Sequence, residues 1–288
     1  MTLFRRGMHF GSYGTTDDGH ELFNRVGEAI VVAEECGFDA LSVPDHVLQN
    51  DVGGGPQGPM FEAYTLLGAF ATRTRSARLL ALVSPVTLRS PALLAKSVTA
   101  LDVISGGRAV LGIGAGWDAG EHQAYGIAFP SVKERMERLD EALTVCRSLF
   151  REQRPSFSGV HYSLDGAFNS PKPLAGDIPI LIGGGGERQT LKLVAKHADA
   201  CNVFGDAATL RHKFEVLDRH CREVGRDPTE ITRTAFVMAP DDVNEFHALV
   251  GSLVEAGVEG VVVIGTYDPA RIEAIGRTLC DVLPEDSD

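Results

Sequence analysis

Residues 179–199, PILIGGGGERQTLKLVAKHAD, decide the fold. Pro179 to Gly183 is an apolar run of strand length, Gly183 opens a run of four consecutive glycines, and Glu187 to His197 reads as a helix. Glycine has no Cβ, so such a run lets amide groups turn inward and a ligand approach the backbone closely. Between a strand and a helix it can form an anion cradle, where free N–H groups and the helix dipole both favour a phosphate. A flexible turn with close helix packing explains one such corner equally well. The decision therefore rests on what repeats around it.

The strand–turn–helix pattern recurs in both directions. Upstream lie strand Met8 to Ser12 with helix Glu21 to Gly37, strand Ala40 to His46 with helix Glu62 to Thr74, and strand Leu79 to Ser84 with helix Pro91 to Ile104. A fourth strand, Ala109 to Gly116, leads through a looser stretch into a helix with Val132, Met136, Leu139, Leu143 and Cys146 on one stripe. Downstream follow Ala200 to Phe204 with Leu210 to Val224, Ile231 to Met238 with Val243 to Ala256, and Gly260 to Ile264 with Ala270 to Val282. Short apolar strands alternating with amphipathic helices imply parallel strands joined by right-handed crossovers. Eight such units in 288 residues predict a (β/α)8 TIM barrel over 1–288. An open doubly wound sheet is the alternative, but no G-x-G-x-x-G follows the first strand. Arg154 to Asp177 breaks the rhythm with aromatic alternation and three prolines, and reads as a hairpin-bearing insertion between helix four and strand five.

Composition narrows the function. A net charge of −12 and a pI near 5.2 disfavour a nucleic-acid binder, which needs a basic face. Cys36, Cys146, Cys201, Cys221 and Cys280 share no metal-ligand spacing and read as reduced core residues, and no metal is expected. No run of 18 apolar residues occurs, so the expectation is a soluble cytoplasmic protein without membrane partners.

In a barrel the active site lies at the carboxyl ends of the strands. Strand two ends in Asp45–His46, and histidine is the side chain most readily used as a proton donor or acceptor near neutral pH. Strand four carries Gly112, Gly114 and Gly116, which bare one face and leave space for a flat ligand. Its Gly114–Ala115–Gly116 corner can present amides to a phosphate beside the cradle of Gly184, Gly185 and Gly186.

The segments GFDALSVPDH (37–46), LALVSPVTLRSPALLAKSVTALDVISGGRAVLGIGAGW (80–117), EHQAYGIAFP (121–130) and IPILIGGGGERQTLKLVAKHADACN (178–202) resemble the luciferase-like monooxygenase superfamily, in particular its branch of coenzyme F420-dependent oxidoreductases. The resemblance implies a deazaflavin, or alternatively FMN, with its ring inside the barrel and its phosphate near strands four and five. Asp45 and His46 match the Asp–His pair beside the reactive ring, with His46 moving a proton and Asp45 orienting it. A non-proline cis peptide in the strand-three bulge is expected at Ala81–Leu82, and Ala81, Leu82, Ser84, Trp117 and His9 are expected to line the cofactor site. Trp117 stands where sugar-phosphate dehydrogenases of the branch carry a catalytic Glu, which favours an apolar or aromatic substrate; His9 is read first as a lining residue, with a share of the lost role as the alternative. The oligoglutamate tail of F420 would need cations, for which Arg188, Lys192, Lys196 or Arg89 are candidates. The resemblance thus implies hydride transfer between F420 and a small organic substrate in a homodimer. An FMN monooxygenase and a non-catalytic F420-binding protein are the alternatives.

Overall fold

All eight strand–helix units are present in the computed structural model, which describes residues 2–13, 18–50 and 54–284. The strands are β1 (Arg6–His9), β2 (Ala40–Val43), β3 (Arg78–Ala81) with its continuation β4 (Ser84–Pro85), and β5 (Leu111–Gly114). After β6 (Phe157–Ser158) and β7 (Ser163–Leu164) come β8 (Ile180–Gly183), β9 (Ala200–Val203), β10 (Thr232–Val237) and β11 (Gly260–Ile264). The sheet runs β3-β2-β1-β11-β10-β9-β8-β5-β4 with every pair parallel. Its two ends meet. Leu79 bridges Ala109, with the Val110 N–H donating to Leu79 O at 3.0 Å, and above that point β4 pairs with β5. The sheet is therefore a barrel, and the third strand is one strand broken in the middle.

The helices are α1 (Gly19–Glu35), α2 (Ala63–Arg73), α3 (Pro91–Ser105), α4 (Ala119–Ala124), α5 (Val132–Arg151), α6 (Thr190–His197), α7 (Ala207–Val224), α8 (Val243–Glu255) and α9 (Pro269–Val282). Their ends follow local chemistry. Ser90 caps α3 ahead of Pro91, Asp206 and Asp242 cap α7 and α8, and Gly106 and Gly225 end α3 and α7 in the left-handed region. On α5, Leu139, Leu143, Cys146 and Phe150 face the barrel fully buried; truncating one such Leu to Ala costs about 2 to 5 kcal/mol. Val132, expected on that stripe, is 61% exposed because it opens the helix before the stripe turns inward.

Inside the ring, alternate residues point to the axis. Phe4, Ala40, Leu80, Val110, Leu181, Ala200 and Val262 form a separate apolar cluster there and close the lower end. The insertion forms the expected hairpin, β6 with β7, held to α5 by Glu141, which accepts the N–H groups of Val160, His161 and Tyr162 at 2.7 to 3.0 Å. Cys146, Cys201 and Cys221 are buried thiols, and Cys36 and Cys280 are partly exposed. Among the described residues no helix is long and apolar enough to cross a membrane.

Candidate active site

A cavity of about 400 Å³ opens at the carboxyl ends of the strands. Its histidine comes from the end of β2. Pro44 has no N–H to continue the ladder, so β2 stops at Val43, short of the expected His46. Asp45 and His46 then diverge. The Asp45 carboxylate is 1% exposed and pairs with the Arg89 guanidinium, which also donates to Glu62 at 2.6 Å and lies over the Tyr64 ring. Asp45 makes no hydrogen bond to His46.

The residue that holds the imidazole is Glu121. Its Oε1 lies 3.0 Å from His46 Nδ1, and its Oε2 accepts the Val47 N–H at 3.0 Å. Glu121 sits on α4, a helix the sequence reading leaves as a loose stretch. Asp118 caps that helix by accepting from the Gly120 and Glu121 N–H groups. The next residue, His122, is buried, with Nδ1 2.6 Å from Asp118 O and Nε2 2.7 Å from Thr87 Oγ1, so it ties α4 to the loop after β4. Asp118 and Glu121 stand at N-cap and N3, the spacing of a capping box, and that signal was present in WDAGEH (117–122). Ligand atoms of His46, Asp118 and Glu121 lie within 4.8 Å of one another, yet both Glu121 oxygens already accept hydrogen bonds, from His46 and Val47.

Burial disfavours the charged form of His46. The hydrogen bond and charge of Glu121, with the charges of Asp118 and Asp45, outweigh it and raise the His46 pKa above the ordinary value. His9 behaves oppositely. Burial, reinforced by the charge of His46, pushes it down to about 3. A histidine held neutral cannot supply the acid that Trp117 displaces, so that part of the expectation for His9 is withdrawn. Trp117 itself is 66% exposed and stands edge-on to His46 with ring centroids 5.5 Å apart.

The opposite wall is glycine. The broken third strand pushes Leu82 and Val83 into the barrel, and the non-proline cis peptide lies between them, one bond later than the expected Ala81–Leu82, because β3 stays regular through Ala81. A Cβ on Gly112 would lie 2.0 Å from the Ala81 carbonyl oxygen, and one on Gly114 or Gly183 would lie 2.8 Å from a Val83 methyl. Gly112 and Gly114 thus make room for the bulge, while Gly114 and Gly116 also border the cavity, so the bare face serves packing as well as the space its spacing suggested. Gly116 and Gly184 adopt φ of +78° and +116°. Gly185 and Gly186 line the cavity, and among the described residues no acceptor meets their N–H groups. They lead into α6, where Gln189 makes no side-chain cap, whereas Asp, Glu or Ser side chains cap the other eight helices. Bare amides at an uncapped helix N-terminus suit the phosphate of a flavin-type cofactor.

Of the expected lining residues, His9, Leu82, Gly114, Ala115, Gly116, Trp117, Gly184, Gly185 and Gly186 border the cavity with His46. Ala81 and Ser84 do not. Both are buried, and Ser84 Oγ is 2.8 Å from Tyr64 Oη. Arg188 is exposed and not among the residues that border the cavity, Lys192 is exposed, Lys196 is paired with Asp140, and Arg89 is taken by Asp45 and Glu62. Sequence reasoning missed Glu121, Val83, Asn50, Asn202, Phe204 and Phe236.

Two curated proteins described as F420-dependent glucose-6-phosphate dehydrogenase are similar to this chain. That of Microbacterium testaceum is 34% identical over 161 residues, 56% of this chain and 46% of that protein. That of Intrasporangium calvum is 35% identical over 173 residues, 58% of this chain and 48% of that protein. The chain spans about half the length of the curated relatives it matches. Among solved structures, the coenzyme F420-dependent tetrahydromethanopterin reductase of Methanopyrus kandleri superposes with a TM-score of 0.79 at 19% identity, covering 97% of this chain and 99% of that one. The long-chain alkane monooxygenase LadA gives a TM-score of 0.79 at 15% identity over 96% of this chain and 91% of that one. These structures share the fold. The family described as luciferase-like monooxygenase matches residues 2–254, the span that builds both walls of the cavity, and the chain belongs to that family.

Proposed function

We propose that the protein is an F420-dependent oxidoreductase that moves hydride between the deazaflavin and a small apolar or aromatic substrate. One observation carries the reading: a single cavity joins the unpaired amides of Gly185 and Gly186 to an imidazole that buried Glu121 holds by Nδ1. The glycine corner and the uncapped end of α6 would hold the phosphate, and Leu82 and Val83 would back the ring system. A bound deazaflavin would supply a two-electron hydride carrier. His46 borders the cavity with Nδ1 engaged by Glu121, so its remaining nitrogen would hold or give up a proton there. Trp117, Phe204 and Phe236 supply an apolar wall for the substrate. The similarity to proteins described as F420-dependent supports the cofactor assignment. Pairing of two barrels through outer helices, and a soluble location, belong to the same reading.

A second reading, an FMN-dependent monooxygenase, draws on the cations. Arg89 is consumed by Asp45 and Glu62, and Lys213 pairs with Glu187 at 2.6 Å, which leaves few partners for an oligoglutamate tail. Fluorescence-quenching titrations of the purified protein separate the two. F420 is expected to bind at micromolar concentration or tighter and FMN at least about tenfold more weakly, a gap of about 1.4 kcal/mol. Tighter FMN binding would replace the first reading by the second. Reduction of a substrate in molar excess over enzyme, rather than in a single stoichiometric turnover, excludes a protein that only binds the cofactor.

A further inference from the structure

We propose that His9 is a fixed hydrogen-bond acceptor in the cavity wall, recognising an O–H or N–H donor on the bound ligand. The inference rests on reading the cavity as the ligand site, but not on which cofactor fills it.

The orientation of the ring follows from a short chain of bonds. His9 Nδ1 lies 3.0 Å from Ser42 Oγ, and Ser42 Oγ in turn lies 3.4 Å from the Met8 carbonyl oxygen. A carbonyl only accepts, and a serine hydroxyl has one proton. Both contacts are hydrogen bonds only if Ser42 donates to Met8 O and accepts from His9 Nδ1–H. That leaves the lone pair on Nε2. His9 borders the cavity, and a Cβ on Gly11 would stand 2.9 Å from Nε2, so the bare backbone at Gly11 keeps that nitrogen uncovered. Phe236 packs edge-to-face on the ring at 5.2 Å and fixes its plane. The groups around His9 are thus Ser42 from β2, apolar Phe236 from β10, and His46, whose charge opposes a second one on His9. No carboxylate offsets that burial, so His9 stays neutral where an exposed histidine would titrate.

His46 has the opposite character. Its Nδ1–H is committed to Glu121, so Nε2 accepts when the ring is neutral and donates when it is protonated, and Glu121, Asp118 and Asp45 extend the protonated range upward. Below the His46 pKa the two imidazoles offer one donor and one acceptor, and above it two acceptors. The acceptor that does not change is His9. It therefore selects ligands by a donor group at every working pH.

Long-range 15N–1H correlation spectra of the full chain, labelled with 15N-histidine, test this directly. The His9 signals, assigned by their loss in His9→Phe, should show the Nδ1–H tautomer without titration between about pH 5.5 and 8.5, while those of His46 titrate. Coenzyme F420, phenol and anisole are then added separately. The Nε2 signal should move upfield with F420 if the cofactor ring supplies the donor, or with phenol and not anisole if a substrate does. His9→Phe should weaken whichever ligand moved the signal by about tenfold. If His9→Phe does not fold, the wild-type spectra, assigned through the other histidines, decide alone. An Nε2–H tautomer, a His9 titration in this range, or an Nε2 signal that none of the three ligands moves would overturn the proposal. The tautomer is read without turnover, so failure of the F420 reading would leave this result standing.

Discussion

Gly112-Ile113-Gly114 on β5 and the run Gly183–Gly186 after β8 look alike as sequence, and they are bare for different reasons. On β5 the space is filled by the chain itself. The Ala81 carbonyl and the Val83 methyls occupy the positions that side chains on Gly112 and Gly114 would need. From the end of β8 the run changes character partway along: Gly183 still yields to Val83, while Gly185 and Gly186 line the cavity with amides that no acceptor meets among the described residues. A glycine can serve packing or binding, and spacing along a strand does not distinguish the two. What separates them is whether another part of the chain fills the missing volume.

The largest effect that could break this comparison is at Gly112. In Gly112→Ala the new Cβ meets backbone at 2.0 Å, which no rotamer relieves. A loss of about 3 kcal/mol or more, or failure to fold, is expected in thermal or denaturant unfolding. A wild-type melting temperature would remove the packing role. Next comes Gly185→Asp. Its Cβ would lie 3.0 Å from a Val203 methyl, which can give way, so the fold should survive by circular dichroism. Cofactor affinity should fall roughly a hundredfold, because the variant adds a negative charge at the corner proposed to hold the phosphate; unchanged affinity would return Gly185 to a structural role. The smallest effect sharpens the boundary between the two kinds of glycine. Gly183→Ala and Val83→Ala should each destabilise, yet the double variant should recover about 1 kcal/mol of the sum, since Val83→Ala removes the methyl that lies 2.8 Å from the new Cβ. Strict additivity in urea unfolding would mean that Gly183 and Val83 do not share that space.

The barrel was legible because each unit repeats one physical requirement, a strand apolar throughout followed by a helix apolar on one stripe. The ends of the units were less so. Asp45 and His46 are adjacent in sequence and were read as one pair, but the turn after Pro44 sends one carboxylate to Arg89 and leaves the imidazole to Glu121, 75 residues further on. The six residues of α4 are too few to show a helical period, and only the capping-box spacing marked it. The break in the third strand was expected from family resemblance and not from hydropathy. Its register, Leu82–Val83, depends on where the pairing of β3 with β2 ends, at Ala81 with Val43.

The pairing of β1 with β11 bears on how the chain acquires its shape. Arg6 lies in register with Val261, and its guanidinium reaches the Cys280 thiol, 274 residues away in sequence. Until Gly260–Ile264 exists as polypeptide, one edge of β1 has no partner within the chain, and an unpaired strand edge is a template for other chains. Contacts of such long sequence separation form late and slow the search for the native state. During synthesis the ring therefore stays open until the last unit is made, and α9 with β11 acts as a latch whose arrival withdraws a sticky edge from its neighbours.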